Sequence, residues 1–237
     1  INFLIYNGNT DNARRMLVDI LLDKVGAASF GNNGLESEYE LIREQFFRYS
    51  NEKILPNAQT WHLKDELIPM HIIDELADLG VFGLTIPEKF NGLGMDKTAM
   101  CIVSEELSRG YLGVGSLATR SDIAAELILA NGTDAQKKLW LPKIASAEML
   151  PTAVFTEPEI GSDLGSLRTR ARLDNGKYFI TGSKTWITHA SRANAMTILA
   201  RTNPATKNHI GLSMFIAKKK SGSKESPFQI RDFSVQK

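Results

Sequence analysis

The hydrophobic period of the chain changes near Leu150, and no other feature constrains the fold as tightly. Before that point apolar residues recur every three or four positions, the spacing of one buried helix face. After it they fall in runs of four to six, bounded by Gly, Asn, Pro or Lys, as in short strands. A helical period and a strand period do not coexist in one element, so the chain is predicted to be α+β. A helical N-terminal layer should precede an antiparallel, β-barrel-like domain. At 237 residues the chain has room for two such units. The expected division is an N-terminal extension over 1–35, a helical domain over 36–150 and a β-domain over 151–237.

Within the first part, Ala13, Met16, Leu17, Ile20 and Leu21 make one stripe, and a glycine-rich gap from Gly26 to Gly34 follows. That gap is the expected site of limited proteolysis. Ser37-Glu38-Tyr39-Glu40 has the form of a capping box opening a helix that should run to Pro56, with Ile42, Phe46 and Tyr49 inward. A third helix is predicted with Pro69 at its first turn, Ile72, Ile73, Leu76 and Leu79 on the inner face, and Gly80 as its stop. A fourth follows Asp96 with Met100, Val103 and Leu107, and ends at Gly110. A fifth carries Ile123, Leu127 and Ile128 before Asn131-Gly132, and a sixth opens with a second capping box, Thr133-Asp134-Ala135-Gln136. Gly110-Tyr111-Leu112-Gly113-Val114-Gly115 is expected to be a connection between helices.

In the second part, Asp174-Asn175-Gly176 separates Arg170–Leu173 from Tyr178–Thr181, which predicts a hairpin whose turn residues accept positive φ. Thr185–Thr188, Met196–Ala200 and Leu212–Ala217 are the remaining strand candidates. Lys218-Lys219-Lys220 is expected to be a solvated strand end.

Charge and cysteine usage exclude several functional classes. Lys and Arg number 28 against 27 Asp and Glu, a net charge of +1, so the whole chain offers no electrostatic reason to bind nucleic acid or an anionic membrane. Cys101 is the single cysteine and cannot close an internal disulfide; His62, His71, His189 and His209 are spread singly, without metal-ligand spacing. These features suggest a cytoplasmic setting and no metal. No apolar run approaches the roughly 18 residues of a spanning helix, and the opening residues lack the pattern of a signal peptide. The chain begins with Ile1, which is not expected to be the translated start. Rossmann and P-loop glycine patterns and a nucleophile elbow are all missing from the sequence.

Phe155-Thr156-Glu157-Pro158-Glu159-Ile160-Gly161-Ser162-Asp163 stands where helices give way to strands. A strand end followed by Pro and Gly-Ser offers backbone N–H groups and hydroxyls to carbonyl or phosphate oxygens, although such a loop also suits a turn that satisfies its own backbone. Further along is Ile180-Thr181-Gly182-Ser183-Lys184-Thr185-Trp186-Ile187-Thr188. On a strand, Trp186 and Thr188 would share one face and Ile187 would occupy the other.

Taken together, the two stretches resemble the acyl-CoA dehydrogenase family. The resemblance extends through Val81-Phe82-Gly83-Leu84-Thr85-Ile86-Pro87-Glu88, Gly92-Leu93-Gly94 and Ser104-Glu105-Glu106-Leu107-Ser108, and covers about residues 36–217. Ile160 departs from the small residue usual at its position. The resemblance implies that Val154, Phe155, Thr156, Gly161 and Ser162, with Trp186, Ile187 and Thr188, wrap the isoalloxazine of FAD. Thr156 and Thr188 would hydrogen-bond the ring, and Ser162 would contact the acyl-CoA. It also implies a homotetramer passing electrons to an electron-transferring flavoprotein. In the family's reaction a glutamate of a C-terminal helical domain removes the α proton while a hydride leaves the β carbon. That domain is not recognisable before Lys237, so no catalytic base is assigned and the chain alone is expected to bind FAD poorly and to be inactive. The alternative expectation is a non-catalytic fragment serving as a structural or assembly module. The extension before residue 36, Trp61–Pro69 and Gly165–Arg170 resemble the branch that oxidises methylsuccinyl-CoA to mesaconyl-CoA. A second carboxylate on the acyl group needs a cation, and Arg120, expected at the start of the fifth helix, is the candidate reader.

Overall fold

The computed structural model describes residues 2–23, 25, 34–219 and 235–236. It opens with α1 (Asn2–Asn7) and α2 (Asp11–Asp23). The apolar stripe predicted on α2 is exposed: Met16 and Leu17 keep 59% and 55% of their surface and no α2 residue is buried. The glycine-rich gap at 26–33 lies outside the described residues.

The helical layer begins at α3 (Ser37–Tyr49), where the expected capping box does not form. Glu36 is the N-cap, without a side-chain cap hydrogen bond, and Ser37 is already inside the helix. Nor does the helix stop at Pro56. A π-helical segment (Ser50–Ile54) leads into α4 (Leu55–Leu63), whose first turn holds Pro56 where its missing N–H costs nothing. Phe46 is buried, and Ile42 and Tyr49 pack against the same cluster. In α5 (Met70–Asp78) Ile72, Ile73 and Leu76 are buried, Pro69 is the N-cap, and Gly80 follows with φ 75°, the left-handed conformation that glycine adopts without strain. Asp96 caps α6 (Lys97–Gly110) by accepting from the Ala99 amide at 3.0 Å. Only Tyr111 separates α6 from α7 (Leu112–Asn131), so most of the expected connection is helix. α8 (Asp134–Ala145) opens with the predicted capping box of Thr133 and Gln136.

Beyond α8 come β1 (Pro151–Val154), β2 (Arg170–Asp174), β3 (Lys177–Thr181), β4 (Ala195–Arg201), β5 (Leu212–Lys218) and β6 (Val235–Gln236). The hairpin β2–β3 forms as predicted, with Asn175 at φ 48° and Gly176 at φ 75°. The barrel-like antiparallel expectation is corrected: among the described residues the sheet is open and mixed, in the order β3-β2-β4-β5-β6. β1 pairs with β4 in parallel from Pro151↔Ala195 to Val154↔Ile198, and β2 meets β4 in parallel at Arg170↔Arg201. Parallel partners arise because loops lie between β1 and β2 and between β3 and β4, so β1, β2 and β4 need not follow hairpin order.

β4 is the central strand, and its alternating side chains serve two cores. Met196, Ile198 and Ala200 join Phe215, Ala217, Val154 and Ala171 on one face. On the other, Ala195 and Ile216 join Ile86, Ile128, Trp140, Leu141 and Ile144 from the helical layer. Helices and sheet thus share a continuous apolar interface. Lys218 is exposed as expected, but Lys219 is buried and donates to the Ala193 carbonyl at 3.2 Å; Lys220 lies outside the described residues. Among the described residues no helix is long and apolar enough to cross a membrane.

Candidate active site

Two glycine-bearing segments meet at the end of β1. Val154 is buried in the sheet core, Phe155 and Thr156 follow it, and Thr156 O accepts from the Thr185 amide at 3.0 Å. The chain then reverses tightly: the Glu157 amide donates to Ile160 O and the Ile160 amide to Glu157 O, at 2.9 and 3.1 Å. The unusual Ile160 is therefore a turn residue of this loop. Gly161 and Ser162 lie exposed beyond the turn, and no hydrogen bond among the described residues joins Ser162 to the segment 186–188. An added Cβ at Gly161 would meet nothing within 4 Å, so the space beside it is open.

The predicted strand over Thr185–Thr188 does not form. Trp186 has φ 57° and His189 φ 43°, left-handed values that an extended strand excludes. The expected sharing of one face by Trp186 and Thr188 rested on that strand geometry, which this bent backbone does not have. Trp186 projects with 88% of its surface exposed, while Ile187 packs against the sheet core. Left-handed conformation costs a residue with a Cβ roughly 1–2 kcal/mol, and such strain with an exposed indole is the kind of outlier that marks a ligand site. Thr188 is held from two sides: its carbonyl accepts from Thr152 Oγ1 at 2.7 Å, and its Oγ1 accepts from Arg120 Nη2 at 3.0 Å. Arg120 comes from the middle of α7, not from a helix start, and crosses 68 positions of sequence to reach Thr188.

Sequence reasoning missed the group that locks the two segments together. Glu157, 6% exposed, accepts from the Arg168 amide at 2.7 Å, the Thr169 amide at 2.8 Å and Lys184 Nζ at 3.1 Å; Lys184 also donates to Phe155 O at 2.8 Å. Burial alone would raise the Glu157 pKa. The nearby Thr169 hydroxyl, the two amides and the ammonium outweigh it and hold the carboxyl at about 2. Burial also lowers the Lys184 pKa, and Glu157 opposes that shift. Both residues lie in the quoted motifs, but their partnership depends on chain reversals that spacing does not disclose.

His189, next to Thr188, was also missed. Both ring nitrogens are buried without a partner in hydrogen-bonding geometry among the described residues. Burial pushes its pKa down, the Pro151 backbone opposes this, and Arg192, Arg120 and Lys219 lower it further, to about 4. The imidazole is neutral at pH 7, so the positive charge here resides on the surrounding cations.

An exposed, strained indole beside the Thr188 hydroxyl and the open space at Gly161 suits a flat aromatic ligand with polar edges, and so fits the flavin implied by sequence. Family models for the acyl-CoA dehydrogenase N-terminal domain and middle domain match residues 36–148 and 152–233. The chain is 60% identical to a (2S)-methylsuccinyl-CoA dehydrogenase of Cereibacter sphaeroides over 95% of its own length and 41% of that protein. Among solved structures, a glutaryl-CoA dehydrogenase in complex with glutaryl-CoA superposes with TM-score 0.74 and 29% identity, covering 87% of this chain and 57% of that one. A Mycobacterium smegmatis glutaryl-CoA dehydrogenase in complex with FADH2 gives TM-score 0.70 and 26% identity over 77% of this chain and 45% of its own. The chain spans less than half the length of the methylsuccinyl-CoA dehydrogenase it matches. With both domain models matched in order across the interlocked segments, the chain belongs to the acyl-CoA dehydrogenase family.

Proposed function

We propose that the protein containing this chain is an FAD-dependent dehydrogenase that removes two hydrogens across the α,β bond of an acyl-CoA thioester, with methylsuccinyl-CoA as substrate. The observation that carries this reading is the exposed Trp186 at φ 57°, with Thr188 two residues on and the whole segment tied to the Thr156 loop through Glu157 and Lys184. The 60% identity to a methylsuccinyl-CoA dehydrogenase supports the choice of substrate.

FAD, when bound, supplies the hydride acceptor. The chain's own residues would bind and orient it: Trp186 would offer its indole face, Thr156 and Thr188 would supply hydroxyls to the ring, and Val154, Phe155, Gly161 and Ile187 would shape the wall. Hydroxyl donors held there would favour negative charge on the ring, the chemistry a bound flavin needs as acceptor. Ser162 contacts the acyl-CoA, and Arg120 reads the distal carboxylate. Removal of the α proton is assigned to no residue of this chain. Electrons leave to an electron-transferring flavoprotein, and the assembly is a cytoplasmic homotetramer.

Arg120→Ala in the complete flavoenzyme tests the substrate assignment. Loss of one partner of a buried charge pair costs about 2–5 kcal/mol, so kcat/KM for methylsuccinyl-CoA should fall roughly 30-fold or more. An uncharged branched thioester of similar size should lose less, only what a change at the flavin itself costs both substrates. Equal losses on both substrates reject Arg120 as the carboxylate reader.

A further inference from the structure

The contact between Arg120 and Thr188 links two residues that sequence analysis assigned to different partners, the acyl group and the flavin. Arg120 Nη2 donates to Thr188 Oγ1 at 3.0 Å. A guanidinium has donors and no acceptor, so the Thr188 hydroxyl proton cannot be given back to Arg120. The Thr188 carbonyl accepts from Thr152 Oγ1 at 2.7 Å, which anchors the backbone at this residue. The hydroxyl proton is left pointing away from Arg120, with a full positive charge directly behind the oxygen. No carboxylate among the described residues forms an ion pair with Arg120. Neighbouring His189 is neutral at pH 7 and adds no charge of its own.

We propose that Arg120 is a positioning residue for the flavin, acting through Thr188: it fixes the Thr188 hydroxyl as a donor and raises the flavin's reduction potential before any substrate arrives. This rests on the flavin reading above but does not follow from it, because a carboxylate reader has no need to touch Thr188. The two roles meet on one guanidinium. An acidic acyl group that engages Arg120 draws on the same charge that supports the Thr188 hydroxyl, so substrate charge and flavin potential are coupled.

The test is the flavin midpoint potential of the complete enzyme, measured without thioester, for wild type, Arg120→Gln, Arg120→Lys, Thr188→Val and the Arg120→Gln/Thr188→Val double variant. Arg120→Gln is expected to lower the equilibrium constant for flavin reduction at least tenfold, about 30 mV for a two-electron couple. Arg120→Lys, which keeps a cationic donor, should stay within threefold of wild type. In the Thr188→Val background the Arg120→Gln change should have little further effect, since the relay is already cut. A wild-type potential in Arg120→Gln, or an undiminished shift in the Thr188→Val background, overturns the proposal. If Arg120→Gln does not retain flavin, a wild-type potential in Thr188→Val overturns it instead. Failure of this inference is distinct from failure of the flavin reading: a wild-type protein that takes up no FAD sinks the latter, whereas bound FAD with an unchanged Arg120→Gln potential sinks only the former.

Discussion

Glu157 and His189 both make stability fall with acid, but in different windows. The folded pKa of Glu157, about 2, lies below its ordinary value of 4.5, so its contribution is complete above about pH 4.5 and is lost as pH falls toward 2. His189 is held at about 4 against 6.5. The unfolded chain therefore binds that proton more readily, and stability falls from about pH 6.5 down to about 4. Each window is worth on the order of 3 kcal/mol. In a series of denaturation free energies, His189→Gln should flatten the upper window and leave the lower slope, and Glu157→Gln should do the reverse. An unaltered upper slope in His189→Gln would remove the histidine from the account. Glu157→Gln should also cost about 3–5 kcal/mol at neutral pH, because it strands the Lys184 ammonium at 10% exposure. Adding Lys184→Met should recover part of that loss, since the uncompensated charge is then gone.

At the scale of elements, the glycines between α6 and α7 decide how closely the helices cross. A Cβ on Gly115 would fall 2.9 Å from the Ser108 amide and 3.0 Å from the Ser104 carbonyl, both backbone atoms of α6. One on Gly110 would press on Ser50 Oγ and lie 3.0 Å from Ile54 Cγ2 in the π segment. That segment is itself tied to α6, where Ser50 Oγ donates to the Glu106 carbonyl at 2.8 Å. Gly115→Ala is therefore expected to wedge α7 from α6 and to cost about 1–3 kcal/mol in urea denaturation. Because α7 carries Arg120, it should also disturb the Arg120–Thr188 contact, which Gly176→Ala in the distant hairpin turn should not. The turn variant has open space around its Cβ but φ 75°, so its cost is conformational only, about 1–2 kcal/mol. If Gly115→Ala is the milder of the two, the close helix crossing is not what constrains that position.

For the molecule as a whole, Asn194 joins the helical layer to the sheet. Its Oδ1 accepts from the Leu150 amide at 2.7 Å and its Nδ2 donates to the Glu148 carbonyl at 3.0 Å. Its backbone amide donates to Leu150 O at 3.2 Å, and its carbonyl accepts from the Lys219 amide at 2.9 Å. The layers also share the apolar cluster that runs from Ile86 and Trp140 to Ala195 and Ile216. Limited proteolysis should consequently leave residues 148–152 uncut under native conditions. Asn194→Ala orphans an amide and a carbonyl, at a cost of about 1–3 kcal/mol, and should make that junction the first new cleavage site. Asn194→Asp keeps the acceptor for Leu150 and should fall between the two. Rapid cutting of the wild type there would contradict the shared interface.

Local chemistry is what the sequence determined by itself. The Thr133–Gln136 capping box, the Asn175-Gly176 turn, the Gly80 stop and the inward residues of α5 and α6 depend on atoms a few positions apart, and all are present. The two motifs were legible as family signatures for the same reason, since each is a short contiguous run. Tertiary structure decided everything that depends on chain reversal. It placed Arg120 on Thr188 across 68 positions and paired Glu157 with Lys184 across 27. It bent Trp186–Thr188 out of strand geometry, buried Lys219, and set β1 and β2 parallel to β4. Residue type and spacing specify which groups a segment offers and which face it buries, but the partner of a buried charge or strand edge is chosen by the packing of the whole chain.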